Sequence, residues 1–384
     1  MPKIIVLSTG GTIDSAESGG SISLSSGGGI IEKYCRKFNI DLSLFDCCSV
    51  MSILSENMQI SDLQRLINYL YEVLSALASD SEKSEYSGII ITHGTDTLAF
   101  TANLLGVIFA HAKLPIIITG SNIPAGEEGS DAFDNIKLCC DFIGLGLPGV
   151  YVAFTGKIHI ATRIGESRSF VHDYPSVIDT PFAVSDGSVR LIKHTCNPSA
   201  DEIRRNRPVI FKTPPVLGKI MLISPYVGLD YNSINIYNNC CDAVLHGAYH
   251  TGSVNSSGHA GHDSALSKLS KSCNGAPTNT GSGCDISDGC ESRSASKRFL
   301  PSSQGGIFSL AKRCADAKIP LFLGPVEEDK VYAGQEKVRR SGVITFSGLS
   351  FIAAWAKLTA GINSFDNIDS LISFMNTDTF FERI

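Results

Sequence analysis

No Cys-x-x-Cys pair occurs anywhere in the 384 residues, although twelve cysteines are present. Six of the twelve form adjacent couples, Cys47-Cys48, Cys139-Cys140 and Cys240-Cys241. Such spacing suits neither a zinc site nor the disulfide framework of a secreted domain. Buried thiols in a reducing cytosol are the expectation, and with it a cytoplasmic protein. Uninterrupted apolar runs of the roughly 20 residues needed to span a bilayer are also missing. The apolar stretch at the amino terminus is too short for a signal peptide. Nor is there a basic excess: 32 Lys and Arg face 38 Asp and Glu, a formal net charge of −6. Nucleic acid and anionic membrane surfaces are therefore disfavoured as partners. The glycine turn after the first apolar run, Thr9-Gly10-Gly11-Thr12, lacks Gly-x-Gly-x-x-Gly spacing and a suitably placed acid, which excludes a dinucleotide fingerprint there.

What the chain does have is apolar strands that run straight into hydroxyl-bearing turns. Lys3 to Ser8 carries four consecutive apolar residues, mostly β-branched, the pattern of a strand buried on both faces. Gly10 and Gly11 then allow a tight turn that leaves Thr12 projecting at the carboxyl end of that strand. Gly88 to Thr92 has the same design and runs into His93-Gly94-Thr95-Asp96-Thr97. In open α/β sheets, ligands sit at that edge.

At 384 residues there is room for two domains. After Thr12, Asp14 to Gly29 reads as a long polar glycine-rich loop with the composition of a lid. Helices are expected at Ile30–Phe38, Ser61–Ala78, Leu98–His111 and Ser130–Gly144, with strands near Val50–Leu54, Ile116–Thr119 and Val150–Phe154. This alternation defines an α/β fold: a larger amino-terminal, doubly wound, mostly parallel sheet domain over residues 1–190. Residues 191–215 read as a charged, proline-bearing linker. Residues 216–384 read as a smaller carboxyl-terminal α/β domain, with one of its elements expected at Ser233–Ile236. That second unit is interrupted at 253–304 by a stretch rich in Ser, Gly, Asn and Asp. Too few apolar residues remain there to offset the entropy of ordering, so a disordered insertion is expected. His259, His262, Cys273, Cys284 and Cys290 fall in it at irregular spacing that does not suit a metal.

Hydrolysis of a carboxamide requires a nucleophile, a base, oxyanion donors and a grip on the substrate. Thr12 suits the first role if a base stands beside it. Thr95 and Asp96 supply a second hydroxyl and a carboxylate able to accept from a substrate ammonium. Backbone N–H groups around Gly11 and Gly94 are candidate oxyanion donors. A lone threonine in such a turn would more simply be a capping residue.

Thr-Gly-Gly-Thr-Ile followed by His-Gly-Thr-Asp-Thr, each directly after an apolar strand, resembles the bacterial-type L-asparaginase family. The resemblance covers most of residues 1–190 and, more loosely, 216–384 without the insertion. It implies an amidohydrolase that converts L-asparagine to L-aspartate and ammonia through a threonine acyl-enzyme. Thr12 matches the acylated threonine, Thr95 the second catalytic threonine, and Asp96 the aspartate that binds the substrate amino group. Ser55, in Ser-x-x-Met, matches the serine that holds the α-carboxylate. Gly11, Glu56 and Gly94 complete the implied substrate site, and Gly120-Ser121 matches a turn after the fourth strand. No cofactor and no metal are implied, and the assembly is a homodimer or homotetramer.

Two positions depart from that pattern. No tyrosine lies between Thr12 and Ile31, where the family carries one on its lid, and Tyr34 is too far along. The family lysine that pairs with the second threonine falls at Glu166 without gaps, at Arg163 with a three-residue slip, or is replaced in space by Lys157. Arginine cannot act as a base, and glutamate removes the positive charge. The alternative function is accordingly a catalytically weakened relative that binds a small amino acid in a regulatory role.

Overall fold

The computed structural model describes residues 3–18, 21–24, 29–79, 85–167, 171–256, 305–327 and 333–383. The 257–304 part of the expected disordered insertion lies outside the described residues; 253–256 are irregular chain.

The larger sheet has eight strands. In chain order they are β1 (Lys3–Ser8), β4 (Phe45–Ser49), β5 (Tyr86–Thr92), β6 (Pro115–Thr119), β7 (Gly149–Phe154), β8 (Lys157–Ile160), β9 (Ala183–Ser185) and β10 (Val189–Leu191). Across the sheet the order is β10-β9-β8-β7-β6-β5-β1-β4. The five strands from β4 to β7 are parallel, and β8, β9 and β10 extend the sheet antiparallel. The isoleucine runs of the central strands explain this burial. Ile89, Ile91, Ile116 and Ile118 enter one core, while Ile90 and Ile117 enter the core on the opposite face. That is the period-two alternation of a sheet covered on both sides.

Helices α1 (Gly29–Phe38) and α4 (Ala132–Ile143) cover the second of those faces. Helices α2 (Ile60–Ser79) and α3 (Leu98–Ile108) cover the first. Ten of the eleven residues of α3 are buried, as expected of a helix that is apolar all round. Its outer side meets α8 (Phe351–Gly361), where Phe100 and Trp355 pack edge to face with ring centroids 4.9 Å apart.

The smaller sheet is parallel, in the order β11 (Ile220–Ile223), β12 (Ala243–Gly247), β13 (Leu321–Gly324) and β14 (Ile344–Thr345). Helices α6 (Ile307–Asp316), α7 (Ala333–Arg340) and α9 (Ile368–Asn376) accompany it. Ala243, Leu245 and Phe322 share the core of α3 with the larger sheet, so both sheets bury into one continuous apolar mass. The segment 378–383 returns to the larger body. Thr162 Oγ1 donates to the Phe380 carbonyl at 2.6 Å, and buried Lys357 pairs with buried Glu382.

Several local expectations are corrected. The Asp14–Gly29 stretch is not simply a loop: Ser15–Ser18 (β2) and Ser21–Leu24 (β3) pair as an antiparallel hairpin. The strand expected at Val50–Leu54 lies earlier, at Phe45–Ser49, and Val50–Leu54 is the connection beyond it. Residues 191–215 are not a bare tether. Ser199 and Glu202 form a capping box that starts the helix α5 (Ala200–Arg204), and Ile203 and Phe211 are buried. The element expected at Ser233–Ile236 is neither helix nor strand beyond a single 3-10 turn at Tyr231–Ser233.

Candidate active site

From β1 the chain passes through β2, β3 and α1 to β4 on one side, then through α2 to β5 on the other. The direction of strand order therefore reverses between β1 and β5. In open α/β sheets, that reversal opens a crevice at the carboxyl ends of the two strands.

Ser8 lies in register with Thr92, so the two turns leave the sheet at one level. Thr9 ties them together, its N–H and Oγ1 donating to the Thr92 carbonyl at 3.1 and 2.8 Å. Gly10 and Gly11 take φ of +100° and +85°, the left-handed region that favours glycine. Space forbids a side chain as well. A Cβ on Gly10 would come within 2.6 Å of the Ile53 backbone, and one on Gly11 would overlap Gly94 Cα and N. Thr12 then opens a one-turn 3-10 helix anchored by buried Ile13.

The partner turn is pinned from three directions. His93 N–H donates to the Thr119 carbonyl of β6 at 2.8 Å. The His93 ring is buried, with Nδ1 2.8 Å from the Gly94 carbonyl and Nε2 2.9 Å from Thr101 Oγ1. Burial pushes its pKa down to about 4, so the ring is a neutral structural pin. Ser55, 2% exposed at the start of a 3-10 turn, accepts from Asp96 N–H at 3.2 Å through Oγ and from Thr97 Oγ1 at 2.9 Å through its carbonyl. Its hydroxyl also stands 3.5 Å from Asp96 Oδ2. A Cβ on Gly94 would fall 2.5 Å from Ser55 Oγ and 3.3 Å from Gly11 Cα. The Gly11 and Gly94 backbones and the Ser55 side chain thus converge on one point, flanked by Thr12 on one turn and Thr95–Asp96 on the other. Thr12 and Thr95 are half-buried, and Asp96 is exposed. Glu56 also faces solvent. Gly120 closes the side toward β6, where a Cβ would sit 3.4 Å from Thr95 Cγ2.

Sequence reasoning missed Tyr174. It is 3% exposed, stacks edge to face on Phe154, and donates its hydroxyl to the Thr95 carbonyl at 2.6 Å. Burial first, then the Asp96 and Asp173 charges, push its pKa up, so it stays a protonated donor. No motif flanks Tyr174 in the sequence, and only the fold of the 171–176 segment brings it here.

The three candidates for the family lysine have other partners or face solvent. Arg163, in the 3-10 turn Ala161–Arg163, donates to the Cys196, Phe381 and Arg383 carbonyls. Lys157 pairs with Asp173, and Glu166 is exposed. None of the three makes a hydrogen bond or ion pair to Thr95 or Asp96 among the described residues. Tyr34 is likewise not near the turn as a lid residue; it packs among Phe38, Phe45 and Phe133. No trio of His, Cys, Asp or Glu side chains is placed to hold a metal ion among the described residues. No helix among them is long and apolar enough to cross a membrane.

Hydroxyls and a carboxylate gathered at the switch point of a doubly wound sheet define a small-molecule site of the α/β class. The family model described as "Asparaginase, N-terminal" matches residues 3–190, so this segment is similar to the amino-terminal part of asparaginases. An L-asparaginase of Thermococcus kodakarensis is 31% identical over 193 residues, 50% of this chain and 56% of its own. A glutamyl-tRNA(Gln) amidotransferase polypeptide of Methanopyrus kandleri is 27% identical over 255 residues, 62% of this chain and 53% of its own. The match thus spans about half the length of these curated relatives. The solved structure of the thermostable L-asparaginase from Thermococcus kodakarensis shares the fold over 100% of this chain and 99% of its own, with a TM-score of 0.68 at 21% identity.

Proposed function

We propose that the chain is an amidohydrolase that releases ammonia from the side-chain amide of L-asparagine. The observation that carries this reading is the packing of Gly94 against Gly11 and Ser55, which sets the turn of Thr12 beside that of Thr95 and Asp96. Thr12 attacks the amide carbon and is acylated; ammonia leaves and water then releases aspartate. Asp96, solvent-exposed and braced from behind by Ser55, receives the substrate ammonium. Thr95, held by Tyr174 through its carbonyl, is the second hydroxyl at the reacting centre. Backbone N–H groups of the two glycine turns supply the oxyanion donors.

Residues 1–190 form the catalytic unit on this reading, and the chain works in the cytoplasm as a homodimer or homotetramer. The test is ammonia release from L-asparagine by purified protein beside Thr12→Ala and Thr95→Ala. Loss of release in both variants supports the proposal, and equal background rates in all three proteins reject it. One observation favours a second reading: among the described residues, none of Lys157, Arg163 and Glu166 makes a hydrogen bond or ion pair to Thr95 or Asp96. On that reading the crevice binds a small amino acid without turning it over. Thermal stabilisation by aspartate, in the absence of ammonia release, would then be the result.

A further inference from the structure

The opposite end of the larger sheet carries a second cavity of about 490 Å³, formed by the end of α2, the start of β5, the α3–β6 connection and residues 207–212. Helix α3 begins two residues after Asp96 and ends at this cavity. Eleven residues at about 1.5 Å each separate the two places by roughly 16 Å. The cavity is therefore distinct from the crevice at Thr12 and Thr95.

Its floor is apolar and aromatic, with Leu74, Phe109 and Phe211 among the lining side chains. Tyr71 packs on Phe109 with ring centroids 5.0 Å apart and donates its hydroxyl to the Phe211 carbonyl at 3.0 Å, so the floor is held rigid. Three cations also line it, Lys113, Arg207 and Lys212, and no Asp or Glu does so among the described residues. Neither Lys113 nor Lys212 has a carboxylate within ion-pair distance there; Lys113 donates to the Asn206 side-chain carbonyl. Arg207 is fixed by the Thr379 carbonyl at 2.9 Å and by the Phe381 ring, 4.0 Å from its guanidinium carbon. Its Nε is buried with no hydrogen-bond partner. A volume in the usual ligand range, an ordered aromatic floor and three cations with no carboxylate among the described lining residues together describe a receptor for one kind of molecule.

We propose that this cavity binds a small carboxylate with an apolar, aryl-sized body, the ring against Tyr71, Leu74 and Phe211 and the carboxylate toward Lys113, Arg207 and Lys212.

The experiment titrates 3-phenylpropanoate into the full-length protein by calorimetry, with 3-phenylpropan-1-ol as the uncharged counterpart. Saturable binding tighter than about 1 mM is expected, weakened about fivefold or more when the carboxylate is replaced by the alcohol. The double variant Lys113→Ala/Lys212→Ala changes only exposed side chains and weakens binding by a similar factor. Ala78→Trp, an exposed α2 position on the cavity wall, fills the space and abolishes binding while leaving ammonia release unchanged. Absence of saturable binding overturns the proposal. So does equal affinity for acid and alcohol, or binding that survives both sets of substitutions.

Discussion

Replacing Gly11 by alanine tests the geometry on which the crevice rests. Two separate penalties meet at this position. The φ of +85° strains any residue with a Cβ by about 1–2 kcal/mol. The added methyl would overlap Gly94 Cα and N and lie 2.9 Å from the His93 carbonyl carbon. These are backbone atoms of a turn fixed by the Thr119 carbonyl and Ser55, so the turns must separate. Forced shifts of that kind cost a further 1–3 kcal/mol or so. Gly146 provides the control, because its φ of +59° is also left-handed but nothing lies within 4 Å of its Cβ position. Gly146→Ala should therefore cost about 1 kcal/mol and Gly11→Ala about 3 kcal/mol, read as relative urea midpoints. Separating Thr12 from Thr95–Asp96 by about 1 Å should also lower ammonia release by on the order of 100-fold, while Gly146→Ala keeps it. Equal midpoints and equal rates for the two variants would refute the claim that the turns are in backbone contact.

Tyr174→Phe removes the donor to the Thr95 carbonyl and leaves that acceptor unsatisfied, at a cost of about 1–3 kcal/mol; asparagine turnover should fall with folding still cooperative by circular dichroism. Lys357→Met strands Glu382, which also accepts from the Thr379 and Phe380 N–H groups, and should cost about 3–5 kcal/mol, with Lys357→Met/Glu382→Gln recovering part of it. Burial lowers the pKa of His93 and His159 to about 4 from an ordinary 6.5. Between those values the unfolded chain binds more protons than the folded one, so stability should fall as pH drops from 6.5 toward 4, by up to about 3 kcal/mol for each ring. Urea midpoints measured across that range check it, with a shallower slope expected for His159→Gln; a flat profile would contradict the buried neutral rings.

The central strands and the two motif turns were legible because their signals are local. Consecutive isoleucines and valines specify a strand buried on both faces, and the glycines that follow mark where backbones must approach. The short strands β8, β9 and β10 carried no such signal. Val189–Leu191 is only three residues long, and its pairing depends on neighbours supplied by the fold. The strand expected at Val50–Leu54 lies earlier because Asp46 and the two cysteines of β4 interrupt the apolar pattern of an edge strand that is largely exposed. Thr12, Ser55, Thr95 and Asp96 were legible as candidates from motif context, since each sits at or just beyond a turn that begins where a strand stops. Tyr174 was not, because its partner is a backbone carbonyl 79 positions away. Arg163 shows the converse. Its place in the chain suggested chemistry, and only the arrival of the Phe381 and Arg383 carbonyls reveals its mechanical role.

That last arrangement bears on how the molecule is made. Thr162 and Arg163 wait for acceptors 218 to 220 positions later, so on a ribosome the larger body emerges with the Arg163 guanidinium still lacking two of its three carbonyl acceptors. Ring closure over so long a stretch is slow. An excised amino-terminal half should thus be a poor reagent for dissecting the molecule, whereas co-expressing it with a separate peptide that spans Asp378–Arg383 offers a way to rescue its solubility.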